Sequence, residues 1–131
     1  GIQEANKLIL DELAPFNKGI IEEGATVIGK VAIDEGTIIK SGSLIKGPVI
    51  IGKNCTIGGK AQIGPYTSVG DNTVIENAEI ESSVIVGDSK ISCNQKITDS
   101  LIGKNVSIES ASETLPKAFK FIIGENSFIA I

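Results

Sequence analysis

A six-residue period constrains this chain more than any other feature. From Ile21 an aliphatic residue recurs at every sixth position: Ile21, Val27, Ile33, Ile39, Ile45, Ile51, Ile57, Ile63, Val69 and Ile75. A companion set stands four residues after each: Ala25, Val31, Thr37, Ser43, Val49, Cys55, Ala61, Thr67, Thr73 and Glu79, all small or β-branched except the last. Three residues after several of the aliphatics come Gly24, Gly36, Gly42, Asn54 and Asn72. Gly and Asn enter the left-handed backbone region at the least steric cost, so they mark corners. A set of β-hairpins would instead alternate with period two and space its turns irregularly.

These three series have one geometric solution. Each hexapeptide is a short strand and a turn, and three of them close a triangular coil of eighteen residues. The aliphatic side chain points into the prism, the companion packs beside it, and strands of successive coils pair in parallel, about 4.8 Å apart. The expected fold class is all-β: a left-handed parallel β-helix of hexapeptide repeats with a short N-terminal helix. Composition agrees, since 41% of residues are hydrophobic but only 4% aromatic, which leaves aliphatic stacking to fill the core.

The register changes after Ile75. Ile80, Val86, Ile91, Ile97, Ile102 and Ile108 are the next expected inward residues, spaced by five and six. Val84, Leu101 and Val106 are expected as companions and Asn105 as a corner, so the β-helix continues with shortened corners. Residues 109–120 break the pattern and predict an excursion loop, after which the repeat returns over Ile123–Ile129. Roughly five coils span residues 21–108. Upstream, Glu4–Leu13 reads as a helix with Leu8, Ile9 and Leu13 on one face, ended by Pro15. Residues 1–17 are therefore expected as a linker or capping helix, and 18–131 as the β-helix domain. Solenoid ends need caps, and this helix and the 109–120 loop are the candidates.

Charge and composition narrow the function. A net charge of −4 and the absence of a basic face argue against nucleic acid. No apolar run approaches the ~20 residues of a membrane span, and no signal peptide opens the chain. Two cysteines thirty-eight positions apart make no disulfide framework, so a cytoplasmic location is expected. The chain opens on Gly1 rather than Met. Gly1 reads as a cloning scar, and the chain as a piece of something longer.

Several segments resemble one family. EANKLILDEL (4–13), Gly24-Ala25-Thr26-Val27, Ile38-Ile39-Lys40-Ser41-Gly42-Ser43, Gly47-Pro48-Val49-Ile50-Ile51-Gly52 and Ile63–Asn72 are similar to the tail of sugar-phosphate nucleotidyltransferases. Asp99-Ser100-Leu101-Ile102-Gly103 and Ile123-Gly124-Glu125-Asn126-Ser127 resemble the long form of glucose-1-phosphate thymidylyltransferase. The resemblance implies a parent enzyme that transfers a nucleotidyl group to a sugar 1-phosphate and releases pyrophosphate. Its catalytic site would lie in an N-terminal α/β domain using Mg2+. No strand, Gly-rich loop and helix of that kind occurs in this chain.

No catalytic, cofactor-binding or metal-binding residue is assigned, and no cofactor is expected within these residues. Hexapeptide acyltransferases ordinarily use His as general base, and this chain contains none. Archaeal bifunctional enzymes, similar around Ser89-Lys90-Ile91 and Asp99-Ser100, carry a His where Cys93 stands. Cys93 has no base partner and reads as a solvent-exposed corner thiol, while Cys55 reads as a buried packing residue. Glu22, Asp34, Glu76 and Asp88 are expected on solvated corners, and Pro48 and Pro65 in turns. Tyr66 sits on a corner, either at a subunit contact or simply on the surface. Ile28, Ile38 and Ile50 are expected outward, forming with Tyr66 a patch on one face that a second subunit or the helix covers. The expected role is a non-catalytic structural and oligomerisation domain, a trimer or dimer. The alternatives are a sugar acyltransferase that has lost or replaced its His, and a regulatory site for a nucleotide-sugar product between subunits.

Overall fold

In the computed structural model the chain winds into a triangular prism with a helix laid against one side. The structure describes residues 2–110, 118–119, 122–123 and 128–130, and side chains from 4 to 110. Three parallel sheets form the walls. The first sheet takes Phe16–Asn17, Val31–Ile33, Val49–Ile51, Thr67–Val69, Val84–Gly87, Leu101–Lys104 and Ile122–Ile123. The second takes Ile20–Ile21, Ile38–Ile39, Thr56–Gly58, Val74–Glu76, Lys90–Ser92, Ser107–Glu109 and Phe128–Ala130. The third takes Thr26–Ile28, Leu44–Lys46, Gln62–Ile63, Glu79–Glu81, Lys96–Thr98 and Ala118–Phe119. Consecutive strands in the chain fall in different sheets, and every strand pair is parallel, which is a left-handed parallel β-helix of hexapeptide repeats.

The ladder stacks residue on residue. Ile21, Ile39, Ile57, Ile75, Ile91 and Ile108 align strand to strand along the second sheet, five coils in all. From Ile33 to Ile75 every ladder residue is buried, and so is every companion from Val31 to Thr73. The expected corners Gly24, Gly36, Gly42, Asn54, Asn72 and Asn105 all have positive φ. Pro48 and Pro65 follow cis peptide bonds in corners.

The second half departs from the expected register in detail. Ile85, not Val86, points inward: Val69 pairs with Ile85 and Ile85 with Ile102. Val86 is 43% exposed. The companions there are Ala78, Ser83, Ser89, Gln95, Ser100 and Val106, all buried. Val84 and Leu101, expected as companions, and Glu79 lie on the outer surface instead. The cause is two successive five-residue steps, Ile75 to Ile80 and Ile80 to Ile85, where alternation of five and six was expected. A shift of one residue turns a strand side chain to the opposite face.

The helix, Ile2–Asp11, lies along the first sheet. Ser68 donates its hydroxyl to the Asn6 amide oxygen, Tyr66 donates to Asp11 Oδ1 at 2.9 Å, and Lys30 Nζ donates to the Asp11 carbonyl at 2.8 Å. Beneath it runs the outward row Ala32, Ile50 and Ser68. Ala32 is only 1% exposed although it points out of the prism, and Leu10 is fully buried. Leu8 and Ile9 face solvent, so the expected Leu8–Ile9–Leu13 face is not the packed one. Three consecutive large aliphatics, Leu8-Ile9-Leu10, leave the packed face ambiguous by pattern. The polar anchors at Asn6 and Asp11 select Leu10. Glu109 belongs to a strand, and Ala118–Phe119 pairs with Lys96–Ile97. Of the expected excursion, residues 111–117 lie outside the described residues.

Candidate functional site

Surface clefts among the described residues include three at corners or on the third sheet, and two walls have no covering element among those residues. On the third sheet a cleft of about 170 Å³ has Gly64 and Pro65 among its lining residues, with Lys46, Glu81 and Lys96 around it. Gly64 has a φ of +96°, and a Cβ there would lie 1.9 Å from the Lys46 carbonyl oxygen, so only glycine fits. Lys96 Nζ stands 2.9 Å from Glu81 Oε1, and that carboxylate holds the ammonium proton more tightly than usual. The cleft is thus lined by paired charges that leave its lysine protonated.

A second cleft, about 280 Å³, lies over the corner formed by Asn77, Cys93, Asn94 and Ser110. Cys93 is not the exposed corner thiol expected from its position: it is 1% exposed. It falls two residues after the ladder residue Ile91, and its side chain turns inward beneath the corner. Burial raises the pKa of Cys93 above its ordinary value, and burial does the same to Cys55. Both thiols therefore stay protonated near neutrality and pack as small apolar groups. Cys55 donates to the Gly70 carbonyl at 3.1 Å, in the expected buried companion position.

A third cleft, about 300 Å³, is lined by Asp71, Asn72, Asp88 and Lys104. Its acids are already hydrogen-bonded: Asp71 Oδ1 accepts the Lys53 backbone N–H at 2.8 Å, and Asp88 Oδ1 accepts from the Asn72 side-chain amide at 3.1 Å. Glu22 Oε1 likewise accepts the Ser41 N–H, and Asp34 Oδ1 the Glu35 N–H. Glu22, Asp34 and Asp88 lie in or next to corners, and Glu76 ends a strand beside the Asn77 corner, with Glu22 and Asp88 exposed and Asp34 and Glu76 half-buried. Among the described residues no three His, Cys, Asp or Glu side chains converge to hold a metal ion.

Tyr66 is half-buried on a corner with φ of +56°. Its hydroxyl binds Asp11, and Lys7 Nζ stands 5.9 Å over its ring, so it is a helix anchor within the same chain. The hydrogen bond to Asp11 raises its pKa. Every shift that the fold imposes on Cys55, Cys93, Tyr66 and Lys96 leads away from neutrality, opposite to what general acid–base work requires. The expected patch of Ile28, Ile38, Ile50 and Tyr66 does not form. Ile28 is on the third sheet, Ile38 on the second and Ile50 on the first.

The fold and its surfaces define a hexapeptide-repeat β-helix domain that carries a helix strapped along one wall. Similarity supports the same class: the acetyltransferase domain of PglB from Neisseria gonorrhoeae superposes with a TM-score of 0.52 at 12% identity, over 82% of this chain and 51% of that one. At that identity the likeness concerns the fold alone. The chain belongs to the family described as the GMPPB C-terminal domain, whose profile matches residues 45–129. It is 44% identical to the low-salt glycan biosynthesis nucleotidyltransferase Agl11 of Haloferax volcanii, over 96% of this chain and 35% of the relative. It is 38% identical to a glucose-1-phosphate thymidylyltransferase of Streptomyces antibioticus, over 98% of this chain and 35% of the relative. The bifunctional protein GlmU of Methanocaldococcus jannaschii is 47% identical over 79% of this chain and 26% of its own length. The chain thus spans about a third of the curated sugar nucleotidyltransferases it matches. No helix among the described residues is long and apolar enough to cross a membrane.

Proposed function

We propose that this chain is the non-catalytic structural and oligomerisation domain of a cytoplasmic sugar-1-phosphate nucleotidyltransferase, with glucose-1-phosphate thymidylyltransferase as the parent activity. The observation that carries the reading is the alignment of 98% of this chain with 35% of a relative of that name. Nucleotidyl transfer, and the Mg2+ it uses, then belong to a part of the polypeptide outside these residues. Buried free thiols suit a reducing compartment.

Assembly follows from the shape. The helix occupies the first sheet and charged residues dominate the third. The second sheet carries the outward residues Ile38, Thr56 and Val74, apolar or β-branched and without a covering element among the described residues, before the row turns polar at Lys90 and Ser107. A flat, rigid wall of that kind suits a closed homo-oligomer, a trimer or dimer. Sedimentation of the chain should give such a mass, and Thr56→Arg with Val74→Arg should reduce it to the monomer. A monomeric starting protein would remove the oligomerisation role.

A second reading is a hexapeptide acyltransferase acting on a sugar phosphate, since a relative 40% identical over 80% of this chain is named as a bifunctional sugar-1-phosphate nucleotidylyltransferase/acetyltransferase of Sulfurisphaera tokodaii. The missing His and the protonated thiols oppose it. Acetyl transfer from acetyl-CoA to a sugar phosphate should stay at background from roughly pH 6 to 9. Turnover that Cys93→Ala abolishes would restore that reading.

A further inference from the structure

Exposed apolar side chains crowd the first part of this chain. Leu8, Ile9, Phe16, Ile20, Ile21 and Ile28 are exposed, and after residue 28 the only exposed large hydrophobic among the described residues is Val86. Four of the six, from Phe16 to Ile28, belong to the first coil. Ile21 is a ladder residue; its equivalents Ile39, Ile57 and Ile75 are completely buried, yet Ile21 is 38% exposed. Val27 is half-buried although Ile45, paired beside it, is fully buried. Both lie at the open cross-section of the prism, with a coil on one side and none on the other.

The backbone is open there too. Lys18, Ile20, Glu22 and Thr26 donate their N–H groups to the second coil. In a parallel ladder alternate residues turn the other way, so Ile21 and Val27 direct theirs out of the end. The helix does not close this end, because Asn6 and Asp11 fix it to the side of the first sheet at Ser68 and Tyr66.

We infer that the first coil is the docking surface for the domain that precedes residue 1 in the parent polypeptide. The inference rests on the function proposed above. A separate second copy does not fit. A triangle with sides of six extended residues, ~3.3 Å each, covers on the order of 200 Å², against roughly 800 Å² per partner in a stable interface between free molecules. A tethered domain escapes that requirement. Anything joined to Ile2 begins about one ten-residue helix, roughly 15 Å, from the first coil. At that range a weak contact closes under an effective concentration in the mM range. The occupant must supply apolar side chains to Ile20, Ile21 and Ile28, and backbone partners to the strand edges.

The test compares this chain with the longer polypeptide that contains it, by amide exchange at Ile21 and Val27 and by thermal unfolding. Exchange at both should be slower in the longer protein. Ile20→Ser with Ile28→Ser should leave the melting temperature of this chain unchanged and lower that of the longer one. Equal exchange in the two, in a longer protein with nucleotidyltransferase activity, overturns the docking and leaves the function standing. A longer protein with no such domain upstream overturns both. A concentration-dependent dimer of this chain that the double variant dissociates assigns the end to a second copy and overturns the inference.

Discussion

The two halves of the prism solve the same corner in different ways. Up to Ile75 each coil takes eighteen residues, so that Ile39 pairs with Ile57 and Ile57 with Ile75. Beyond it Ile75 pairs with Ile91, sixteen residues on, and Ile80 with Ile97, seventeen on. The wide coils turn largely on Gly, Asn and the cis-Pro corners; the tight ones also place Ser82, Asp88 and Asp99 at positive φ. What holds those residues there is the next side chain. Ser83, Ser89 and Ser100 each donate a hydroxyl to the carbonyl two residues back, at 2.8, 2.9 and 2.8 Å. Thr67 and Thr73 make the same bond in wide coils, at 3.2 and 3.4 Å. In the tight half the hydroxyl also accepts an N–H from the next coil, Ser100 N–H to Ser83 Oγ and Val106 N–H to Ser89 Oγ, both at 3.1 Å; in the wide half Thr37 Oγ1 accepts the Cys55 N–H in the same way at 3.0 Å. A shorter corner is thus stabilised by a buried serine that fastens it within its coil and to its neighbour.

The largest expected effect ignores the difference between halves. Ile57→Asp in the wide half and Ile91→Asp in the tight half should each prevent folding. Both residues are fully buried; each substitution loses roughly 1.5–3 kcal/mol of apolar burial and adds an unpaired charge. Circular dichroism of either variant showing native β-structure and an unchanged melting temperature would take that residue out of the core.

The serine fastening predicts an asymmetry. Ser83→Ala leaves the buried Ser100 N–H without its acceptor and should destabilise by about 1–3 kcal/mol. Thr73→Val removes only the long bond to Asp71 and should fall below that. Denaturant unfolding of the pair, with equal losses found, would reduce the hydroxyls to space-fillers.

Corner substitutions should diverge in sign. Asn72→Val puts a β-branched residue at φ +58° and should cost on the order of 1–2 kcal/mol. Ser82→Gly relieves the same strain and should shift stability by less than about 1 kcal/mol, upward or not at all. Thermal unfolding that shows the glycine variant strongly weakened would mean that Ser82 contributes a contact beyond its backbone.

The smallest effect concerns the helix that only the wide half carries. Asp11 raises the pKa of Tyr66 in the folded state above its ordinary value of 10.0. A raised value means that the native state holds this proton more firmly. The stabilisation is complete below pH 10 and fades as pH rises through the folded value. Amide exchange in the helix should accelerate over that alkaline range, and Tyr66→Phe should abolish the pH dependence. A helix that loosens identically in the variant would point to another anchor.

How much of this was legible in advance depends on which contacts are periodic. Inward positions from Ile33 to Ile75, their companions and the positive-φ corners follow from spacing, because an eighteen-residue coil stacks each ladder residue on its equivalent. The exchange of Ile85 for Val86 was hidden, since Val84-Ile85-Val86 offers three β-branched residues and only corner geometry chooses among them. Serine as a fastening residue left a trace in Ser83, Ser89 and Ser100 at companion positions, but a hydroxyl's partner is a backbone group that spacing does not reveal. Cys93 was misplaced for the same reason as Val86.

The missing His, the acidic balance and the aliphatic ladder are properties of the sequence by itself, and they determined the prism and set aside imidazole chemistry. The tertiary structure decided what packs across elements: Leu10 and Ala32 buried, Tyr66 on Asp11, and Ile28, Ile38 and Ile50 dispersed over three walls. The physical reason is range. A repeat specifies each residue's direction relative to its own strand, whereas packing of the helix and exposure of the first coil depend on groups distant along the chain or beyond it.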